Sequence, residues 1–322
     1  MKSRTENKYY IFDGCRTYNL VWIVRTAYYM VSNFFYWILL MTAHRKQSKK
    51  KYKVSICAIF KNEAPYLKEW IEFHIIIGVN HFYMYNNNSN DGYLEILQPY
   101  IDNGIVTLIQ WEKDQAQMEA YAHCIKNYSG ETNWIGFIDL DEFIVPKKYS
   151  SIVDFLSQFE RYPSVKLNWN VFGSSGKVDR NRDGLVTEDF YVSWNKVDEI
   201  GKCFYNTEYA FSQDSKRNGI FHHELWAKIG ILDVPPVNCF HHICRHGFER
   251  ADNADFPIVI NHYFTKSFNE YVEKASKGDV YFVDNPHNLE YFYRHEELCM
   301  KSDYSAYKYL VKLKMRMKRD GE

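Results

Sequence analysis

The sequence has no excess charge of either sign, with 40 Lys and Arg set against 40 Asp and Glu. A chain neutral overall lacks the basic coat with which general nucleic-acid binders collect phosphates, so no nucleic-acid partner is expected. Glycine (15) and proline (8) are scarce in 322 residues while 46% are hydrophobic, which excludes collagen-like and disordered chains. The seven cysteines are odd in number and irregular in spacing, so they make no disulfide framework, and reduced thiols are expected. Neither internal repeats nor low-complexity tracts interrupt residues 54–304, and long uncharged runs are almost missing.

The exception runs from Thr26 to Ala43, TAYYMVSNFFYWILLMTA, close to the ~17–20 residues that a membrane span needs. Arg25 before it, the polar Ser32 and Asn33 within it and its Tyr and Trp content suit a helix lying in a membrane interface equally well, and a helix packed on the body is a third reading. A polybasic linker follows, HRKQSKKKYK at 44–53, of the kind attracted to anionic lipid headgroups. Residues 1–53 carry eleven basic and two acidic side chains, and residues 305–322 carry six and two. The balance places a net charge of −13 on residues 54–304, an acidic body between basic ends. The expectation is a membrane-associated protein with a cytoplasmic body, divided into residues 1–50 (a membrane-associated or transmembrane helix with its linker), 51–280 (a catalytic domain) and 281–322 (a helical, basic tail).

Within the body, short β-rich runs alternate with helical stretches. VSICAIF (54–60), HFYMYN (81–86), IVTLIQW (105–111) and WIGFIDL (134–140) read as strands. Helices are expected from Pro65 to Gly78, from Tyr93 to Ile101 and from Gln115 to Asn127. Repeated β-α units predict an α/β fold with a mostly parallel central sheet, helices on both faces and ligands at the carboxyl ends of the strands. The fourth strand end reads DLDEF. Asp139 and Asp141, one residue apart, can turn toward one face and share a hard cation, Mn²⁺ or Mg²⁺, that in turn holds a diphosphate.

VSICAIFKNEAPYLKEWIEFHIIIGVNHFYMYNNNSNDG (54–92), FIDLDEF (137–143), NWNVFGSSG (168–176) and INHYFTKSFNEYVEKASKG (260–278) together resemble glycosyltransferases of the Rossmann-like GT-A fold, and more narrowly glycosyltransferase family 92. The resemblance implies a metal-dependent, inverting transfer from a nucleotide sugar, usually a UDP-sugar, to a glycan or lipid-linked acceptor in polysaccharide biosynthesis, with galactose suggested by the family. It places Asp141 as the direct metal ligand, Asp139 nearer the ribose, and His262 in the metal shell or on the diphosphate. Glu63, Asn86 and Asn87 fall where related enzymes hold base and ribose, although relatives in family 2 often have Asp at the second strand end. Lys266 and Ser267 are expected diphosphate contacts, and Gln117 stands in a donor-binding segment or on the surface.

Inversion needs a base for the acceptor hydroxyl. Glu224 in FHHELWAK holds the expected place in chain order, with Glu188 and Asp189 as competitors. FGSSG (172–176) reads either as an acceptor contact or as a tight loop, and Trp169, Trp194 and Trp226 as stacking platforms or packing residues. In CFHHICRH, the side chains of Cys239, His241, His242, Cys244 and His246 are zinc-ligand types at a spacing that fits no common structural site, so none is expected. Two rival readings are a non-catalytic carbohydrate or nucleotide binder on the same fold and a Mg²⁺-dependent nucleotidyltransferase.

Overall fold

Side chains along a strand alternate between faces, and this chain uses the alternation to build two cores. Ile56, Ala58, Phe82 and Met84 enter one hydrophobic cluster, while their neighbours Cys57, Ile59, Tyr83 and Tyr85 enter the other. The computed structural model describes residues 20–43, 48–114, 116–181, 183–213, 218–244, 255–276 and 288–318. His246, the first residues 1–19 and linker residues 44–47 lie outside the described residues.

The elements run α1 (Leu20–Thr42), β1 (Tyr52–Phe60), α2 (Ala64–Ile76), β2 (His81–Asn86), α3 (Tyr93–Asp102), β3 (Val106–Gln110), α4 (Gln117–Tyr128) and β4 (Thr132–Phe137). Next come β5 (Glu142–Pro146), α5 (Ile152–Ser157), β6 (Ser164–Val171), α6 (Val186–Asp189), β7 (Val192–Trp194), β8 (Gly201–Asn206), β9 (Ala210–Phe211), β10 (Ala227–Ile229), β11 (Leu232–Val234), β12 (Val237–Asn238) and β13 (Ile258–His262). The chain ends with α7 (Phe268–Ser276), α8 (Leu289–Glu297), β14 (Cys299–Ser302) and α9 (Tyr307–Lys318).

The main sheet has the order β3-β2-β1-β4-β8-β6-β13-β5, with β12 also paired to β6. Its first four strands are parallel, as the β-α alternation predicts. The rest is mixed: β8 is antiparallel to both β4 and β6, and β13 is parallel to β6 but antiparallel to β5. A parallel return needs a long crossover, usually a helix. Between β6 and β8 the only described helix is the four-residue α6, and the chain turns back antiparallel.

Helix α2 starts with Pro65 in its first turn and ends before Gly78, whose φ of 101° suits a residue without Cβ. Leu67, Trp70, Ile71 and Phe73 face the core. The basic C-terminal stretch is no loose tail where it is described: α9 buries Tyr309, Leu310 and Leu313 and crosses α2, with Tyr309 edge-on to Phe73. Among the described residues no helix is long and apolar enough to cross a membrane. Helix α1 instead turns Tyr29, Tyr36 and Leu40 toward the body. The Tyr36 hydroxyl donates to the Pro235 carbonyl (3.2 Å), and the Ile243 N–H donates to Asn33 Oδ1 (3.1 Å).

Candidate active site

Strand β4 stops at Phe137, earlier than its apolar sequence suggests, so both aspartates lie in the turn between β4 and β5. The turn is pinned from inside: the Asp139 N–H donates to Glu142 Oε2 (2.9 Å), and the Trp70 indole N–H reaches the carbonyls of Asp139 and Glu142. Antiparallel pairing of β13 with β5 sets His262 opposite Glu142, and its parallel pairing with β6 sets His262 opposite Val171. In this way a histidine more than a hundred residues away arrives beside the turn.

Asp139 faces three protein donors. Gln117 Nε2 (3.1 Å) and the Tyr121 hydroxyl (2.9 Å) donate to Oδ1, and Lys202 Nζ lies 2.5 Å from Oδ2. Burial pushes the Asp139 pKa up, but the Lys202 ammonium and these hydrogen bonds outweigh it and hold the carboxyl below its usual range. Lys202 is buried and also lies 3.7 Å from Glu142 Oε1. Glu142 shows the opposite outcome, since burial drives its pKa well up despite Lys202. Lys202 is placed by a tight strand contact: a Cβ on Gly201 would lie 1.9 Å from the Leu167 carbonyl oxygen, so only glycine lets β8 approach β6 this closely.

Asp141 has a different environment. Its Oδ1 lies 3.6 Å from His262 Nε2 and its Oδ2 2.6 Å from Lys274 Nζ on α7. Burial again works against ionisation, and the charges of Lys274 and His262 overcome it, keeping Asp141 well below the usual carboxylate range. Two ligand atoms 3.6 Å apart can both reach one divalent ion at about 2.1 Å, so Asp141 and His262 fit a shared cation. Asp139 does not complete a tight set with them: among the described residues, the three potential ligands whose atoms all lie within 4.8 Å are His295, Glu296 and Cys299.

Lys266 is buried beneath this edge, with its ammonium 4.2 Å from the Tyr66 ring centre. Burial lowers its pKa, while attraction to Glu63 and Asp141 opposes the shift. Glu63 thus belongs to the same charge cluster, and it also attracts Lys274.

Other expected contacts have structural employment. Ser267 Oγ donates to Glu270 Oε2 (2.6 Å) and its N–H bonds to the same oxygen (3.1 Å), with Glu270 N–H turned back toward Ser267 Oγ (3.4 Å): a capping box that starts α7. Asn86 Nδ2 donates to Tyr93 and Gln110, and its Oδ1 accepts from Ser89 N–H. Asn87 Nδ2 holds the carbonyls of Trp111 and Lys113. Both asparagines tie strand ends together by their amide nitrogens.

Glu224 is half-buried and accepts the Trp226 indole N–H (3.1 Å). Its competitors are engaged elsewhere: Glu188 pairs with Lys314 (2.5 Å) and Asp189 with Lys177 (3.0 Å). FGSSG is a tight loop clamped by α8, for Glu296 accepts both Ser174 N–H and Ser174 Oγ at 2.7 Å. Of the tryptophans, Trp169 belongs to the site, 4.4 Å from the His262 ring and 5.2 Å from His223, whereas Trp194 packs on His295. Within the cysteine-histidine segment, His241 stacks on Phe159 at 4.1 Å, and Cys239 and Cys244 are buried.

Five residues of the site escaped sequence reasoning: Tyr121, Lys202, His222, His223 and Lys274. Burial, aided by the Lys202 charge, pushes the His223 pKa down to about 3 and the His222 pKa well below its ordinary value, so both rings are neutral near pH 7. His223 Nδ1 lies 2.7 Å from the Gly201 carbonyl, which fixes the proton on that nitrogen and leaves Nε2 an acceptor. The two histidines stand in the very FHHELWAK segment that yielded Glu224, and Lys274 in the quoted EYVEKASKG. Lys202 and Tyr121 carry no local signal.

A glycosyltransferase family 92 protein of Oryza sativa subsp. japonica is 31% identical over 233 residues, covering 71% of this chain and 36% of that protein. A galactan beta-1,4-galactosyltransferase of Arabidopsis thaliana is 31% identical over 130 residues, 35% of this chain and 26% of that protein. Among solved structures, S. aureus TarS 1–349 in complex with UDP-GlcNAc aligns with a TM-score of 0.36 at 12% identity, covering 63% of this chain and 60% of that one. The chain spans about two fifths or less of the length of the curated relatives it matches. The match to the family Glycosyltransferase family 92 itself runs through residues 50–279, from just before β1 to just past α7, and the chain belongs to that family.

Proposed function

We propose that this protein is a GT-A-fold glycosyltransferase that moves a sugar, with inversion, from a nucleotide sugar, most simply a UDP-sugar, to a glycan or lipid-linked acceptor. The observation that carries the reading is the meeting at the end of β4 of Asp141 with His262 (3.6 Å), beside two lysines from one short segment, Lys266 and Lys274. Family membership and the galactosyltransferase name of one relative support glycosyl transfer.

Asp141 and His262 would hold the Mn²⁺ or Mg²⁺, which when bound supplies charge neutralisation for a departing diphosphate. The protein's own residues do the rest. Lys274, whose side chain is more than a third exposed, is within reach of both Asp141 and a ligand in the open edge, so its ammonium turns to the diphosphate. Lys266 fixes the potential of the same edge from below. Asp139, held by Lys202, Gln117 and Tyr121, would accept a ribose hydroxyl as a rigid acceptor. Trp169 offers its ring as the floor against which a sugar packs. Glu224 takes the proton of the acceptor hydroxyl, and the Trp226 indole orients its carboxylate.

Release of nucleoside diphosphate from a panel of nucleotide sugars, with Mn²⁺ and with chelator, tests this reading. Metal-dependent UDP release from one donor is expected, and turnover of none of them, or equal turnover under chelation, contradicts it.

A further inference from the structure

Helix α1 has two apolar faces but only one is used. The stripe Tyr29, Asn33, Tyr36, Leu40 lies on the body, while Val31, Phe34, Phe35, Trp37, Ile38 and Met41 on the remaining surface are exposed. Beside it stands the β10–β11 hairpin, whose two-residue turn is Gly230 (φ 62°) and Ile231. Turns are ordinarily polar. Here Ile231 is 91% exposed and Leu232 after it 52%. Between helix and hairpin runs a groove of about 540 Å³, lined by Phe35, Tyr36, Leu39, Leu232, Val234 and Ile243 among others, so the two exposed apolar surfaces are continuous. Its volume is in the ~300–1,000 Å³ range of small-molecule sites.

We propose that the outer face of α1 and the Ile231 turn lie together in the headgroup region of an anionic lipid bilayer, and that the groove between them takes one hydrocarbon chain of that bilayer. The charge pattern selects the occupant. No charged residue falls between Thr26 and Ala43, and soon after it in the chain come exposed Lys49, Lys51 and Lys53, cations that suit acidic headgroups and disfavour a second copy of the chain. Tyr28, Phe34, Phe35 and Trp37 are the side chains that favour a membrane interface. Because α1 is hydrogen-bonded to the body through Asn33 and Tyr36, it lies along the surface and does not run through the bilayer. The groove also approaches the site, since Trp226 lines it and hydrogen-bonds Glu224. A chain seated there would bring its headgroup to the acceptor side, but the docking itself does not depend on the reaction assigned above.

The test is flotation of the full chain with vesicles of equimolar phosphatidylcholine and phosphatidylserine, against pure phosphatidylcholine. Binding is expected to the anionic vesicles, weakened by salt, and to fall at least about tenfold in Ile231→Glu and in Phe34→Glu, both exposed positions at which folding is undisturbed. With lipids brominated on their chains, tryptophan fluorescence should be quenched, and part of that quenching should be missing in Trp226→Phe. Unchanged flotation of both glutamate variants overturns the surface, as does light scattering that shows a dimer broken by Ile231→Glu without vesicle binding. Equal quenching in Trp226→Phe overturns the groove.

Discussion

Lys202 carries more of the site than its sequence context suggests. Its buried ammonium lies 2.5 Å from Asp139 Oδ2 and 3.7 Å from Glu142 Oε1. Removing one partner of a buried ion pair leaves the other charge uncompensated, a cost of about 3–5 kcal/mol. Lys202→Met is therefore expected to lose stability on that scale in urea unfolding, where a loss below about 1 kcal/mol would show that Asp139 does not need the charge. Glu224 makes the opposite prediction. Its carboxylate accepts the Trp226 indole N–H, which orients it for the acceptor proton in the proposed reaction. Glu224→Gln should lower kcat by about 10²–10⁴ while UDP binding stays unchanged, and near-normal turnover would remove the assignment. Sequence motifs point to Asp139, Asp141 and His262 because the two aspartates follow an apolar strand and the histidine closes one. They could not expose Lys202 or Tyr121, which reach Asp139 from 63 and 18 residues away through packing alone.

Among the elements, the first half of the domain was legible and the second was not. From β1 to β4 each strand or helix contains its own periodicity, apolar positions and stop signals, so local sequence determines it. From β7 to β12 the strands are two to six residues long and exist only through partners distant in sequence, as with β8 between β4 and β6. Helix α7 shows how a local motif also serves the fold. Ser267 caps the helix, whatever else it contacts, and Glu270 in turn receives Tyr66 (2.8 Å) and Arg180 (3.1 Å), tying α7 to α2 and to the loop before α6. Burial would raise the Glu270 pKa, but hydrogen bonds from Ser267 and the Arg180 charge win, and the folded value is lowered. A lowered folded pKa means that the unfolded chain binds the proton first as pH falls. The Glu270 contribution is thus complete above the ordinary glutamate range and is lost as pH falls through the depressed folded value. Wild type and Glu270→Gln, unfolded in urea across pH 7 to 3, should differ by a constant amount at the upper end and converge at the lower. A gap that does not narrow with acid would contradict it.

At the scale of the molecule, the neutral total conceals a division that folding partly cancels. The basic C-terminal helix meets acids of the body, Lys314 on Glu188 and Arg316 on Glu72, so part of its positive charge serves docking. The acidic interior keeps two carboxylates beside one strand end ionised, Asp139 by Lys202 and Asp141 by Lys274, and Asp141 is the one that meets His262. In the proposed reaction the two aspartates divide the work, Asp139 as part of the wall and Asp141 as the cation ligand. Calorimetric titration of UDP into wild type and Asp141→Asn, each with and without Mn²⁺, tests it most directly. The account predicts that Mn²⁺ strengthens UDP binding by at least about tenfold in wild type and by nothing measurable in Asp141→Asn. Equal strengthening in both proteins, or none in wild type, would contradict it.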